Sequence, residues 1–184
     1  MSTNRTLVIV AHPNLEDSRA NAARLAEMQT LADVTVHDLY GRYPNFEIDV
    51  AREQQLLRDH ETLILQFPLC WYNVTPLMKA WFDAVLNYGF AFTLDGSASE
   101  LNGKKAWLAV SVGSAMDTYT SEGVARRSLD EYLAPVRQTL EFCQFDYQGF
   151  HPVYGMMLNP TNEDLVLDAK GYGRLVATGG SPVS

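Results

Sequence analysis

Several hydrogen-bond donors lie close together near the N-terminus, between an apolar run and an amphipathic stretch. Residues 11–21 read AHPNLEDSRAN and include His12, Ser18, Arg19 and Asn21. Where a buried strand leads into a helix, the N–H groups of the first helical turn and the helix dipole favour an anion. This segment therefore predicts a phosphate-binding loop. Serine also caps many helices without binding anything, so an ordinary helix start is an equally good interpretation of this loop alone.

A second segment combines aromatic side chains with two flanking prolines. Residues 67–76 read FPLCWYNVTP, with Trp71 and Tyr72 between Pro68 and Pro76. A flat ring such as isoalloxazine needs apolar walls and backbone donors near its polar edge, and this loop could supply both. Large aromatic side chains more often belong to a core, so burial of both rings remains the alternative.

A third segment is rich in small residues. Residues 111–119 read SVGSAMDTY, and Gly113 would let the backbone approach a ligand closely. The same residues could form an ordinary turn. What favours a binding site is that all three segments follow apolar runs that are typical of buried strands.

The elements that would position these segments alternate between strand and helix along the chain. The pattern predicts strands at 6–11, 34–38, 62–67, 106–112 and 145–154, and helices at 18–32, 49–60, 76–86, 129–142 and 162–177. Pro68 is expected to end the third strand, and Asp49 to cap the second helix. Pro135 is expected to bend the fourth helix or to mark a later start.

Such alternation is typical of a doubly wound α/β fold, a parallel sheet covered by helices on both faces. Ligands of these folds bind beyond the carboxyl ends of the strands, where the three segments begin. No repeat or linker is visible, so residues 1–184 are expected to form a single domain, with 179–184 as a mobile tail.

Composition and charge exclude several classes of function. The net charge of −8 and the lack of long Lys/Arg clusters argue against a nucleic-acid partner. No apolar run is long enough to span a membrane or to form a signal peptide. Cys70 and Cys143 fit neither a disulfide framework nor a zinc pattern, and no histidine or acidic cluster predicts a metal. We expect a cytoplasmic protein.

Residues 66–85, which read QFPLCWYNVTPLMKAWFDAV, closely resemble the signature of the NAD(P)H:quinone oxidoreductase (DT-diaphorase) family. The resemblance continues into Gly89–Phe92 and covers about residues 6–155. Residues 39–49 are similar to those of the short bacterial branch, which includes the ancillary oxidoreductases of glutathione-gated potassium efflux systems. The middle motif is highly specific, and the outer two are less so.

The resemblance implies a flavodoxin-like fold with a five-stranded sheet, and a set of flavin-binding residues. The flavin phosphate and ribityl chain would contact His12, Ser18, Arg19, Ala20 and Asn21. The isoalloxazine would lie against Pro68, Leu69, Cys70, Trp71 and Tyr72, and its pyrimidine edge would meet Ser111, Val112, Gly113 and Ser114. The short chain favours FMN, with FAD as the alternative, and NAD(P)H as co-substrate.

The resemblance also implies a reaction and a homodimer with the ring near the interface. A hydride would pass from NAD(P)H through the flavin to a quinone in a ping-pong sequence. Tyr119 matches a family tyrosine near the flavin and is the candidate proton donor, although a solvent-facing tyrosine is the commoner case. The family histidine after it is replaced near Ala125, and Cys70 stands where relatives often have Gln.

Two other functions remain open at this point. The chain could dock on a membrane potassium-efflux transporter as a regulatory subunit, alone or alongside catalysis. It could also exchange single electrons as flavodoxin does, although an aromatic loop that excludes solvent suits hydride transfer better.

Overall fold

A computed structural model describes residues 5–178, which form one five-stranded sheet and six α-helices. The strands are β1 (Thr6–Val10), β2 (Val34–Asp38), β3 (Thr62–Pro68), β4 (Lys105–Ser111) and β5 (Asp146–Val153). The helices are α1 (Arg19–Met28), α2 (Leu39–Arg42), α3 (Val50–Arg58), α4 (Pro76–Val85), α5 (Leu129–Phe142) and α6 (Asn162–Ala177). The predicted mobile tail at 179–184 lies outside the described residues.

The strands are all parallel and follow the order β2-β1-β3-β4-β5. The continuously apolar strand β1 is fully buried, as is β3 up to its last residue, whereas the alternating β2 lies at an edge and is partly exposed. The flavodoxin-like doubly wound fold is therefore confirmed. In this strand order the chain switches direction between β1 and β3, where ligands of such folds bind.

Helices cover both faces of the sheet. The larger apolar cluster includes Leu65 and Leu108 of the sheet, together with residues of α2, α3, α4 and α5. The smaller cluster joins Val10 and Ile64 to Tyr172 of α6 and to α1. Side chains alternate between faces along a strand, so the same strands supply both clusters.

Side-chain caps fix the starts of several helices. Asp49 accepts a hydrogen bond from the Arg52 N–H, which confirms its predicted role at the start of α3. Ser128 and Thr161 form capping boxes at α5 and α6. Such caps satisfy N–H groups that have no partner within the helix, so the ends of these elements can be read from the sequence.

The structure corrects three predicted boundaries. Helix α1 ends at Met28 rather than near residue 32, because Thr30 bonds the Glu27 carbonyl through both its N–H and its hydroxyl and so forms a turn. Pro135 lies inside α5 and does not delay its start, since the capping box fixes that start. Pro68 belongs to β3 and pairs with Ser111.

The register brings the three candidate loops to one edge of the sheet. Val10 lies beside Gln66, which lies beside Ala109, so the loops after β1, β3 and β4 all leave from neighbouring positions. Within residues 5–178, no helix has the length and apolar character needed to cross a membrane.

Candidate functional site

A cavity of about 410 Å³ opens at the edge of the sheet where these loops meet. Eight residues predicted as cofactor contacts line it: His12, Ser18, Arg19, Ala20, Pro68, Leu69, Ser111 and Gly113. The five other lining residues are Asn14, Asp17, Met156, Pro160 and Leu165. The structure therefore brings all three segments to one cavity, which we call the edge cavity.

The start of α1 lies in the wall of the edge cavity. Ser18 occupies the N-cap position, but its side chain bonds none of the N–H groups of the first turn. The predicted N-cap position of Ser18 is therefore confirmed, whereas a capping hydrogen bond from its side chain is not observed. Without a side-chain acceptor, the first turn keeps donors for an anion, and the helix dipole adds a favourable potential there.

Arg19 brings a positive charge to the same wall. Its guanidinium donates to Asn159 Oδ1 at 2.7 Å, to the Pro160 carbonyl at 2.9 Å and to Asn162 Oδ1 at 2.8 Å. All three acceptors are uncharged, so they orient the guanidinium without neutralising it. The charge remains available to a phosphate in the cavity.

His12 is half-buried and presents a single donor. Its Nδ1 accepts a hydrogen bond from the Asn14 N–H at 3.1 Å, so in the neutral ring the proton lies on Nε2. Burial lowers the pKa of His12 below its ordinary value, and the opposing charge of Asp38 does not offset this effect. The neutral form with Nε2–H therefore predominates at pH 7.

The loop after β3 makes a tight turn with unusual backbone geometry. Cys70 and Asn73 bond each other through both backbone groups, at 2.8 and 2.9 Å. The two residues between them, Trp71 and Tyr72, have φ values of 47° and 64°, as in a type I′ turn. Non-glycine residues occupy this region at a cost of roughly 1–3 kcal/mol each.

This turn directs its aromatic side chains away from the core. Trp71 is 91% exposed and Tyr72 is 43% exposed, so the alternative that both rings belong to the core is wrong. Neither Cys70 nor these two rings lines the edge cavity, whereas Pro68 and Leu69 do. Burial raises the pKa of the Cys70 thiol, which keeps it protonated and poorly reactive.

The loop after β4 is held by the segment that follows β5. Val112 is fully buried and its N–H donates to the Val153 carbonyl at 2.8 Å, so it has no free donor for a ring. Within residues 5–178 the N–H groups of Gly113 and Ser114 donate no hydrogen bond. A Cβ at Gly113 would come within 2.9 Å of Met157 Sδ, so the exposed Met157 side chain would have to shift to accommodate it.

Four tyrosines form an aromatic cluster beside these loops: Tyr72, Tyr119, Tyr132 and Tyr154. Tyr72 stacks on Tyr132 with ring centroids 4.5 Å apart, and Tyr119 meets Tyr132 edge-on at 6.2 Å. Burial, then the neighbouring Tyr72 hydroxyl, raises the pKa of Tyr119, so this hydroxyl stays protonated near neutral pH. Tyr119 lies in this cluster and does not line the edge cavity.

The sequence interpretation missed the contribution of the segment after β5. Met156, Pro160 and Leu165 line the edge cavity, and Asn159 and its neighbours hold Arg19. The rule that sites form at carboxyl ends of strands applies to β5 as well, and would have directed attention there. Among residues 5–178, no group of His, Cys, Asp and Glu side chains could hold a metal.

The chain is similar in sequence to one known protein family and to several curated proteins. The chain matches the Flavodoxin_2 family, described as having a flavodoxin-like fold, over residues 4–174. It is 41% identical over 161 residues to an NAD(P)H oxidoreductase, YrkL, of Bacillus subtilis, covering 88% of this chain and 91% of YrkL. It is 37% identical over 175 residues to KefG, an ancillary protein of a glutathione-regulated potassium-efflux system in Pectobacterium carotovorum, covering 95% and 93%.

Solved structures show the same similarity. General stress protein 14 of Treponema denticola, solved in complex with FMN, superposes with a TM-score of 0.88 and 35% identity. This superposition covers 95% of the present chain and 99% of the other. An NADPH-quinone reductase from P. pentosaceus superposes with a TM-score of 0.83 and 25% identity over 98% and 99% of the two chains.

Proposed function

Because this chain belongs to the Flavodoxin_2 family, we propose that it is an FMN-dependent NAD(P)H:quinone oxidoreductase. Its relatives include a named NAD(P)H oxidoreductase, an FMN complex and an NADPH-quinone reductase. The observation that carries the proposal is the edge cavity. There the start of α1, whose N-cap side chain makes no capping bond, and Arg19, whose guanidinium bonds uncharged groups, lie beside the loops after β3 and β4. This combination suits a phosphorylated, flat-ringed cofactor.

The donors at the start of α1 fit the phosphate of FMN. Ser18, Arg19, Ala20 and His12 line the edge cavity, and we assign the part beside them to the phosphate. A phosphate there would meet helix N–H groups, a positive charge and a hydroxyl together. FMN bound in this way would supply the hydride-accepting and hydride-donating ring that the polypeptide itself lacks.

The other end of the cavity fits the ring. Pro68 and Leu69 offer an apolar wall, while the free N–H groups of Gly113 and Ser114 can bond a polar ring edge. These groups would stabilise negative charge at the edge of a bound ring without reorganisation, because the segment after β5 holds their loop. Trp71 follows this wall in the chain, and its exposed side chain would shield a ring bound against it from water.

Tyr119 is the proposed proton donor to the quinone. Its hydroxyl is protonated at neutral pH, and the aromatic cluster fixes its ring beside the loop after β3. A quinone that takes up a hydride also needs a proton on its oxygen. Tyr119 would supply it directly or through a hydrogen bond that strengthens as charge develops.

Steady-state and rapid-mixing kinetics test the proposal. Protein loaded with FMN should lose its visible flavin absorbance on anaerobic mixing with NADH or NADPH, and should regain it when menadione is added. Parallel double-reciprocal lines would support the ping-pong sequence. Tyr119→Phe should slow the quinone step roughly tenfold or more and leave the NAD(P)H step unchanged. Tyr147→Phe, at a half-buried tyrosine outside the aromatic cluster, serves as the control.

Absence of any turnover with FMN or FAD would reject the proposed enzyme. Equal slowing of both half-reactions in Tyr119→Phe would reject its role as proton donor to the quinone. A colourless protein that takes up neither flavin would reject the assignment of the edge cavity.

We further propose a cytoplasmic homodimer that folds as a single domain. Within residues 5–178 both cysteines are free, which suits a reducing compartment. The exposed Phe142 lines a groove between α4 and α5, and the exposed Tyr88 contacts Phe92 in the same groove, which a second copy could cover. Sedimentation of wild type and of Phe142→Lys tests this: the wild type should sediment as a dimer, and the variant should shift toward the monomer.

A potassium-efflux transporter is the second candidate partner, favoured by the 37% identity to KefG. The chain would then regulate the transporter as well as, or instead of, reducing quinones. Co-purification of the tagged protein with a transporter's cytoplasmic domain would support this role. A catalytically active protein that binds no transporter domain would leave quinone reduction as its only function.

A further inference from the structure

Gln66 is a polar residue in an otherwise apolar part of the sheet. It lies in β3, is 1% exposed, and pairs in register with Val10 and Ala109 on neighbouring strands. By the alternation of strand side chains it shares the face of Ile64, which packs toward α1 and α6. Burying a side-chain amide costs free energy unless its N–H and C=O groups form hydrogen bonds. We therefore expect the buried Gln66 amide to have a function.

Gln66 is joined to the edge cavity by two amide hydrogen bonds. Its Nε2 donates to Asn21 Oδ1, and Asn21 Nδ2 donates to Ser18 Oγ at 2.8 Å. Asn21 is itself 1% exposed, while Ser18 lines the cavity. A chain of three side chains, which we call the amide relay, therefore runs from the sheet to the start of α1.

The amide relay has a direction, and that direction decides what Ser18 can do. Each side chain donates toward the cavity, so Ser18 receives a hydrogen bond from Asn21 and keeps its own proton. If the Asn21 amide were reversed, its oxygen would accept that proton, and Ser18 would present only a lone pair. A phosphate accepts hydrogen bonds but does not donate them when ionised, so only the observed direction suits it.

The amide relay also explains why Ser18 does not cap α1. Asn21 Nδ2 occupies Ser18 Oγ, and the side chain makes no bond to the first-turn N–H groups. Both the hydroxyl proton and these N–H groups are thereby left to a ligand. Asn21, which lines no part of the cavity, contributes through Ser18 rather than by touching the ligand.

We propose that Gln66 is a positioning residue that fixes the Ser18 hydroxyl as a donor to the phosphate of the bound nucleotide. Within residues 5–178 the Gln66 Oε1 has no hydrogen-bond partner, so only its donor side is used. The inference rests on the proposed FMN site and adds the element that distinguishes a phosphorylated flavin from riboflavin. Loss of the Gln66 donor should therefore weaken binding of the phosphate and leave binding of the ring unchanged, because other residues hold the ring.

The test compares FMN with riboflavin, which lacks the phosphate. Dissociation constants for both are measured by quenching of flavin fluorescence in wild type, Gln66→Met and Gln66→Glu. Met keeps the size of the side chain but cannot donate, and Glu can only accept, which reverses the amide relay. FMN should bind roughly tenfold more weakly to Gln66→Met, and more weakly still to Gln66→Glu, while riboflavin binding stays the same.

A double-mutant cycle with Ser18→Ala tests whether Gln66 acts through Ser18. In the Ser18→Ala background, Gln66→Met should have almost no further effect on FMN binding. Gln54→Met is the matched control, because Gln54 is a partly buried glutamine that bonds Val85 and Asn87 far from the edge cavity. It should leave the affinity for both flavins unchanged.

Three outcomes would overturn the inference. Equal weakening of FMN and riboflavin would show a merely structural role for Gln66. Additive effects of Gln66→Met and Ser18→Ala would show that the two act separately. Wild type that binds FMN no better than riboflavin would remove the phosphate site, and with it the proposed function. If Gln66→Met fails to fold, the near-isosteric Gln66→Glu decides the first two questions.

Discussion

The two ends of the edge cavity are built in opposite ways. The proposed phosphate end is the regular start of α1, where Ser18 and Arg19 are oriented by uncharged hydrogen-bonding groups. Beyond Pro68 and Leu69 at the proposed ring end, a tight turn holds Trp71 and Tyr72 at positive φ and leaves Trp71 91% exposed. Fixed donors suit an anion of constant shape, whereas a strained turn can hold an aromatic side chain outside the core, beside a ligand. We therefore expect changes at the phosphate end to affect cofactor affinity, and changes at the ring end to affect turnover.

The largest effect is expected beneath the phosphate end, at the buried ion pair of α1 and α6. Arg24 is fully buried and bonds Asp168 at 2.7 and 3.0 Å. Arg24→Met leaves this buried carboxylate with His151 but without the charge of Arg24, and should lower the free energy of unfolding by about 3–5 kcal/mol. Urea denaturation measures the change. Arg58→Met, which breaks the exposed pair with Glu100, should cost less than about 1 kcal/mol.

The contribution of Arg24 should depend on pH. Burial opposes ionisation of Asp168, but hydrogen bonds from His151 and Arg24 outweigh it and hold the pKa of the carboxyl below its ordinary value of 3.8. A lowered carboxyl pKa stabilises the fold above the unfolded value, and this stabilisation is lost as the pH falls. The difference between wild type and Arg24→Met should therefore shrink below pH 3.8. A constant difference would contradict the ion-pair explanation.

The second effect tests the strained turn. Trp71→Asn should raise the free energy of unfolding by about 1 kcal/mol, because Asn tolerates positive φ better and the lost side chain is almost fully exposed. The same change should lower kcat/KM for menadione roughly tenfold. Arg126→Asn, at an exposed residue with φ of 59°, should stabilise the fold without changing turnover. If Trp71→Asn keeps full turnover, the strain has no function in this reaction.

A smaller effect is expected in the aromatic cluster. Tyr132→Leu removes the ring that stacks on Tyr72 and should destabilise the fold by roughly 0.5–1.5 kcal/mol. The KM for the quinone should rise, while the preference for FMN over riboflavin stays the same. Tyr132→Phe keeps the stack and loses only the hydrogen bond to the Ala125 carbonyl, so its KM should remain near that of wild type. A changed FMN preference in Tyr132→Leu would show that the two ends are not independent.

The smallest effect is the pH dependence at His12. Burial, the largest cause, lowers its pKa, so protonation is less favourable in the folded protein than in the unfolded one. Stability that is complete above the ordinary value of 6.5 should decline as the pH falls below it. Urea midpoints of wild type should therefore fall between pH 7 and 5, and those of His12→Gln should fall less. Identical pH profiles would contradict a lowered pKa of His12.

The sequence predicted most of the fold, because its signals are local. Three of these signals each favour a single structure: the apolar run of β1, the Asp49 cap, and Pro76 at the first position of α4. The predicted element boundaries were wrong where one local preference of the sequence competed with a stronger one. Pro135 disfavours a helix interior, yet the capping box at Ser128 starts α5 before it.

The candidate site was predictable in position but not in detail. Ser18, Arg19 and Gly113 were placed at one edge by the rule for parallel sheets. Contacts between distant segments were not visible: Arg19 meets Asn159, 140 positions along the chain, and Asn21 meets Gln66. Sequence spacing carries no information about such pairs, because they depend on how α1 packs against the sheet and α6.

A crystal structure of the FMN complex would test the central claim most directly. The account predicts electron density for the phosphate between the first turn of α1, the Ser18 hydroxyl and the Arg19 guanidinium, with the ring beside Leu69 and Gly113. FMN lying elsewhere, or with its phosphate directed to solvent away from α1, would contradict it.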